Sequence, residues 1–249
     1  MYASVTLRFY EELNDFLHRE NRKKVFRYAF APHQTIKDVI EACGVPHTEV
    51  DLILVNGEPV DFFYRLKKDD YISVYPVFEK LDITGISKLE HSPLRNLKFI
   101  ADVHLGKLAR YMRMIGLDTM YENNSDDNDL IEISIQENRI LLTRDKGILM
   151  NNKVTLGSYV YSSNSKKQLT EVIRKFQLRS QIKPFSRCME CNGEIKISDK
   201  SSILHLLKPL TKKYYNEFYM CSDCGKIFWK GSHYKRMKLL IEKTLNNLV

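Results

Sequence analysis

The stretch KFIADVHLGKLARYMRMIG (98–116), continued by LDTMYENNSDDNDLIEISIQENRILLTRDKGILM (117–150), decides the fold. Phe99, Ile100 and Ala101 form a short apolar run that ends on Asp102. Ile140 to Thr143 form another, and Asp145 follows one residue later. Between them, Leu105, Leu108, Ala109, Met112 and Ile115 fall at helical spacing and Gly116 ends that helix. A third apolar run (117–121) and a second helical segment, LIEISIQEN, complete the alternation. Strands alternating with helices predict an α/β domain: a parallel sheet with helices on its faces. Ligands bind such sheets at the carboxyl ends of the strands, so Asp102 and Asp145 are expected to face one small volume. Gathered carboxylates repel unless a cation lies between them. The expectation is a Mg²⁺ or Mn²⁺ site acting on a phosphodiester, with Asp102, Asp127 and Asp145 as catalytic candidates. Asp127 reads as the N-cap of the second helix, reinforced by Asp129 and Glu132. It either only caps, or caps and aims its free oxygen at the ion. Lys107, Arg110 and Arg113 fall largely on another face of the first helix. Lys107, Arg110, Arg144 and Lys146 flank the acids and are candidates to hold the phosphate.

Working back from Lys98, residues 80–97 are polar and carry Gly85 and Pro93, as a linker would. His91 in this stretch reads as surface. Upstream, YASVTLRFY (2–10) alternates like a half-buried strand and KKVFRYAF (23–30) resembles its partner. Thr35 can cap a helix over IKDVIEACG, with Gly44 at its end. VDLILVNGEPV (50–60) is a hairpin about Asn56-Gly57, and DYISVYPVF (70–78) supplies the last strand. The order ββαββ predicts a β-grasp domain. Cys43 continues the apolar pattern of the helix and is expected in the core.

Forward from Met150, VTLGSYVYSS (154–163) reads as a further strand. Ser165 can cap a helix whose Leu169, Val172, Ile173 and Phe176 share an apolar face. Cys188-x-x-Cys191 and Cys221-x-x-Cys224 then supply four thiolates, 29 residues apart, each beside a glycine turn. Two such knuckles predict one tetrahedral, closed-shell structural zinc, with an insertion between them. Beyond the second knuckle, Trp229, Lys230, His233, Tyr234, Lys235, Arg236 and Lys238 bring rings and positive charge together, a mix suited to RNA. Packing of Trp229 and Tyr234 against the rest of the chain is the alternative. Ser232 can cap the last helix.

The motifs FIADxxLGKLARYMRMIGLDT, ILLTRD, SRCxxCNG and CxxCGxxFWKGSHY resemble the Mut-seven C-terminal RNase family over residues 97 to about 240. That resemblance implies a PIN-like nuclease domain fused to a zinc ribbon. It carries Asp102 to the first-strand acid, Asp145 to the acid of the T-R-D strand end and Asp127 to the acid of the middle helix, with Asp126 and Asp129 as neighbours. A fourth acid has no clear match. The N-terminal unit is similar to the ubiquitin-like domain of prokaryotic members and to sulfur carriers, which share the NGE turn and the D-x-I-x-V-x-P strand. Those carriers end on Gly-Gly, whereas this chain runs on through FEKLDITG, so a binding or stabilising role is expected. The implied division is 1–80 ubiquitin-like, 81–96 linker, 97–182 PIN-like and 183–249 zinc ribbon with a C-terminal helix.

Composition agrees with a globular, nucleic-acid-facing protein. Of 249 residues, 43% are hydrophobic, enough for a buried core. Lys and Arg against Asp and Glu number 11 and 13 in residues 1–80, 9 and 11 in 81–150, and 19 and 7 in 151–249. The net charge of +8 therefore resides in a C-terminal third of +12, which predicts a polyanionic partner, RNA. No apolar run approaches the ~20 residues of a membrane span. The N-terminus lacks a signal-peptide core, and four of five cysteines pair as C-x-x-C; the expectation is a cytoplasmic protein. Metal-dependent RNA cleavage is the reading with most support. An RNA-binding adaptor of weak or no catalysis, its β-grasp docking a protein partner, is the alternative.

Overall fold

The computed structural model describes residues 3–76, 87–89 and 97–246. In the N-terminal unit, β1 (Ala3–Phe9) buries Val5, Leu7 and Phe9 and pairs antiparallel with β2 (Phe26–Phe30). Thr35 caps α1 (Ile36–Ala42) through a reciprocal box with Asp38. Next come β3 (Val50–Val55), β4 (Glu58–Pro59) and β5 (Tyr71–Pro76). Asn56 and Gly57, at φ of 52° and 90°, turn β3 into β4, the geometry that Asn-Gly supplies without strain. The sheet runs β2-β1-β5-β3-β4, with β1 and β5 parallel at its centre, and it wraps Ile36, Val39 and Ile40 of α1. This is the expected β-grasp. Cys43 packs against its core, and burial pushes its thiol up to about 12. Of the expected linker, only 87–89 is described: Leu89 joins the N-terminal core and the Ser87 hydroxyl donates to the Asp51 carbonyl. His91 lies outside the described residues.

The middle of the chain alternates strands and helices as the apolar runs require. These are β6 (Lys98–Ala101), α2 (Gly106–Met114), β7 (Asp118–Met120), α3 (Asp127–Gln136), β8 (Ile140–Thr143), α4 (Lys146–Leu149), β9 (Gly157–Tyr159) and α5 (Ser165–Lys175). The sheet is wholly parallel, in the order β7-β6-β8-β9. Its two faces follow the strand period. Phe99, Ala101 and Leu142 pack with α2 and α5, whereas Ile100 and Leu141 pack with Leu130 and Ile131 of α3. The chain steps outward from β6 to β7 and then returns to the other side of β6 as β8. The topological switch point is therefore between β6 and β8. One local expectation is corrected. Asn164, not Ser165, caps α5, its side-chain oxygen accepting the Lys166 and Lys167 N–H groups. Arg113, on the helix face shared with the exposed Lys107 and Arg110, is itself buried, at 4% exposed. Its guanidinium donates to the carbonyls of Thr119, Tyr121, Met189 and Glu190, tying α2 and the end of β7 to the first cysteine knuckle.

The C-terminal unit contains β10 (Ile195–Ser198), α6 (Lys200–Ile203), α7 (Pro209–Tyr214), β11 (Phe218–Cys221), β12 (Ile227–Trp229) and α8 (Ser232–Asn246). The antiparallel sheet runs β10-β11-β12. The long spacing between knuckles is taken up by α6 and α7 around Ile203, Leu207 and Phe218. Helix α8 returns to the middle unit, where Ile241 is buried in the α2–α5 core.

The β-grasp covers the outer side of β9. Glu49, 1% exposed, accepts the Tyr159 N–H and the Lys175 ammonium, each at 2.7 Å. His47 lies between the Glu41 carboxylate (2.7 Å) and the Val154 carbonyl (2.9 Å), and Phe16 packs on Tyr159 and Tyr161. An exposed strand edge is an aggregation hazard, and here the second unit caps it. Among the described residues no helix is long and apolar enough to cross a membrane.

Candidate active site

The expected acids converge where β6 and β8 end. The Asp102 N–H donates to the Leu142 carbonyl (2.9 Å), extending the β6–β8 ladder by one residue, and Asp102 is only 3% exposed. The fully buried Thr143 hydroxyl donates to Asp102 Oδ2 (2.6 Å) and accepts the Asp145 N–H (2.9 Å). One side chain thus links the two acids. Asp145 is exposed and begins α4, with Oδ1 accepting the Gly147 N–H at 2.7 Å.

Asp127 is the first residue of α3 and not its cap. Asp126 caps, accepting the Asp129 N–H at 2.9 Å, and Asp129 reaches back to the Asp126 N–H. The Asp127 carboxylate is therefore free of capping. Burial raises its pKa, and the charges of Asp145 and Asp102 raise it further, with Asp126 adding a smaller push. The three acids share one electrostatic field. Among the described residues none of them is ion-paired with Lys or Arg. A buried carboxylate held only by a hydroxyl and an amide calls for a cation. The acids do not close up as a ready ligand shell, however. Among the described residues, only the cysteines bring three or more ligand atoms within 4.8 Å of one another.

The phosphate candidates separate. Lys107 is exposed and, with Arg110, Tyr121, Asn123 and Asn124, lines a polar cleft of about 720 Å³. Arg110 pairs with Glu190 (2.9 Å), which also holds Lys226 (2.8 Å), so its charge is partly committed. Arg144 is exposed beside Asp145. Lys146 is a correction: its ammonium lies 4.7 Å from the centre of the Phe16 ring and 3.5 Å from the Phe16 carbonyl oxygen, and burial lowers its pKa. It serves the seam with the β-grasp, not the acids. His233, Lys235 and Arg236 are exposed on the first turns of α8, in the C-terminal unit. Gly106 has a steric reason: a Cβ there would strike the Tyr121 hydroxyl, which is shared between the Val103 carbonyl (3.1 Å) and Asn123 Oδ1 (2.7 Å).

The four thiol sulfurs meet. Cys188 and Cys224 are 3.7 Å apart, Cys191 and Cys221 3.3 Å, and all four lie within 4.8 Å of one another. Tetrahedral zinc with Zn–S near 2.3 Å sets its sulfurs roughly 3.8 Å apart, so the set fits a metal such as zinc. Burial pushes the Cys188, Cys191 and Cys221 thiols up, but at Cys221 the N–H groups of Cys224 and Asp223, with hydrogen bonds from the neighbouring sulfurs, outweigh it and bring the pKa down to about 7.

Sequence reasoning missed Thr143, whose signal was a hydroxyl at the end of an apolar strand. It also missed Arg113 and Glu49. Helical spacing does not distinguish a buried arginine from a solvated one, and Glu49 stands in a polar turn with no local clue.

Residues 97–241, more than half of the chain, match the Mut7-C RNAse domain. The chain belongs to this family. Residues 2–82 match the Mut7-C ubiquitin domain that precedes it. A search of curated proteins finds no match. Among solved structures, the chain is similar to small archaeal modifier protein 1 of H. volcanii at 16% identity and a TM-score of 0.25, over 30% of this chain and 97% of that one. A second structure, SAMP1 from Haloferax volcanii, aligns at 16% identity and a TM-score of 0.24, over 29% and 93%. Membership of an RNase-domain family supports a nuclease-like function, and the acids at the switch point are the side chains to examine for it.

Proposed function

We propose that the protein is a divalent-metal-dependent ribonuclease acting at Asp102, Asp127 and Asp145. The observation that carries this reading is the trio of carboxylates at the β6–β8 switch point, which have no Lys or Arg partner among the described residues. Asp102 and Asp145 would hold one Mg²⁺ or Mn²⁺, an ion that keeps several waters and asks for only one or two carboxylates. When bound, the ion supplies positive charge to the phosphate oxygens as negative charge develops there. Thr143 fixes the Asp102 carboxylate and the Asp145 backbone, so both acids keep their orientation. Asp127, whose pKa is raised by burial and by the charges of Asp145 and Asp102, would orient the ion or accept a proton from an attacking water. Arg144, exposed next to Asp145, and Lys107 in the polar cleft would grip phosphates, while the basic C-terminal third, with His233, Lys235 and Arg236, would hold the strand in a salt-dependent way. The thiolate set would carry a closed-shell zinc that organises the ribbon.

Labelled single-stranded RNA, incubated with the protein and Mn²⁺, tests this reading. Cleavage that disappears in both Asp102→Asn and Asp145→Asn is expected; cleavage retained by both variants refutes it. One observation favours a second reading, an RNA-binding adaptor: the acid oxygens are more widely spread than the thiol sulfurs. Binding without cleavage by the unaltered protein would select the adaptor.

A further inference from the structure

A cavity of about 210 Å³ lies between the ribbon and α8, walled by Phe185, Tyr219, Phe228, Trp229 and Tyr234 with Lys230 at the rim. We propose that this cavity receives one unpaired nucleobase of a single-stranded RNA bound across the protein. The inference rests on RNA being the ligand of the proposed function and adds a binding site that none of the acids lines.

Size is the first argument. Sites for drug-sized ligands run from ~300 Å³ upward, so this cavity has room for one flat ring system and little more. Chemistry is the second. Bases stack on aromatic side chains whatever their identity. Here the rings line a hollow instead of filling a core: Trp229 remains 38% exposed, and Phe185 and Tyr234 form one tilted wall with centroids 4.6 Å apart. The indole lies close over Gly231, where a Cβ would come within 3.0 Å of its nitrogen. Charge is the third. Lys230 is held by Glu217 and Arg187 by Asp118, so the walls themselves are nearly neutral. Lys235 and Arg236, on the next turns of α8, are exposed and make no ion pair among the described residues. A neutral aromatic pocket beside unpaired cations suits a base on a polyanionic backbone better than an apolar side chain of a protein. Continuity is the fourth. Met189 lines both this cavity and the polar cleft that holds Lys107, Asn123 and Asn124. A strand whose phosphates follow that cleft passes Met189 and can turn a base inward.

Trp229 is the only tryptophan in the chain, so its fluorescence reports on the cavity directly. The full chain is titrated, without added Mg²⁺ or Mn²⁺, with oligouridylate and with an abasic ribose-phosphate oligomer of equal length. The base-bearing RNA is expected to quench the indole saturably and to bind roughly tenfold tighter than the abasic oligomer, as one stacked base allows. Tyr234→Leu, checked for unchanged metal content and unfolding temperature, should remove most of that difference. Equal quenching and equal affinity for the two oligomers would overturn the proposal, as would an undisturbed indole at saturating RNA; this comparison needs no variant. Repeating the titration on Asp102→Asn separates the two readings. Base-dependent quenching without cleavage by the unaltered protein keeps the cavity and removes the nuclease. Cleavage without base-dependent quenching removes the cavity alone.

Discussion

Replacing Thr143 by Val tests whether one hydroxyl organises the two strand-end acids. The change keeps the branched shape at a fully buried position and deletes two hydrogen bonds, the donation to Asp102 Oδ2 at 2.6 Å and the acceptance from the Asp145 N–H at 2.9 Å. A hydrogen bond to a carboxylate is worth ~1.5–3 kcal/mol, and the amide bond at an exposed residue ~0.5–1.5 kcal/mol, since water can replace it. The expected loss of stability is therefore about 2–4 kcal/mol. At ~2–4 °C per kcal/mol for a chain of this size, the unfolding temperature should fall visibly without collapse at room temperature. The functional effect is separable. Loss of a group that orients a metal-binding carboxylate typically weakens metal affinity or activity ~10–100-fold. In an RNA cleavage assay over a Mg²⁺ series, the half-saturating Mg²⁺ concentration should rise by about that factor. Thr143→Ser, which keeps the hydroxyl, should stay near the unaltered protein. If Thr143→Val loses stability yet keeps the original Mg²⁺ dependence and rate, the hydroxyl merely satisfies β8 and does not orient the acids.

Asp127 gives a pH-dependent prediction. Its folded pKa is raised, so its ionisation opposes folding, and that opposition sets in as pH rises from the ordinary carboxylate value through the raised one. Asp127→Asn should raise the metal-free unfolding temperature at pH 7 and leave it nearly unchanged well below the ordinary Asp pKa of ~3.9, where the carboxyl is protonated in both states; equal shifts in both ranges would contradict the shared field. Glu49→Leu strands the Lys175 ammonium at the seam and should cost ~3–5 kcal/mol, whereas Glu49→Leu with Lys175→Met should cost distinctly less. Denaturant titrations of the single and double variants decide this, and additive losses would show that the pair is not coupled. For the thiolates we expect about one zinc per chain by metal analysis. Chelation should abolish the near-ultraviolet dichroism of Trp229, because structural zinc contributes ~10–16 kcal/mol to such folds. A metal-free protein whose cysteines all react at once in the native state would rule it out.

Much of the architecture was legible because it rests on short-range rules. Alternation gives β1, the Asn56-Gly57 turn needs left-handed backbone, and Thr35 has Asp38 three residues on for its box. Asp102 and Asp145 could be placed together because parallel strands deliver their carboxyl ends to one edge. The expectation for Asp127 erred by one residue: Asp126 and Asp127 are both good caps, and only the position of Asp129 selects Asp126. Arg113, Glu49 and Lys146 were not legible. Each meets partners distant in sequence, at 189–190, 159 and 175, and 16 respectively, and nothing in local periodicity records such meetings.

The course of Lys146 bears on why a β-grasp precedes this nuclease-like unit. Helix α4 has only four residues, too few to be stable by its own hydrogen bonds. Yet its N-cap is Asp145, an acid whose orientation the proposed chemistry depends on. Support must come from packing against the rest of the molecule: Ile148 and Leu149 of α4 are buried, and Lys146 is held over the Phe16 ring of the β-grasp. The same unit grips β9, the neighbour of β8, through Glu49. The strand end that carries Thr143 and Asp145 is thus braced on one side by β6 and on the other by β9 and the β-grasp together. That arrangement makes the N-terminal unit a brace for β9 and α4, the two elements that flank the proposed site.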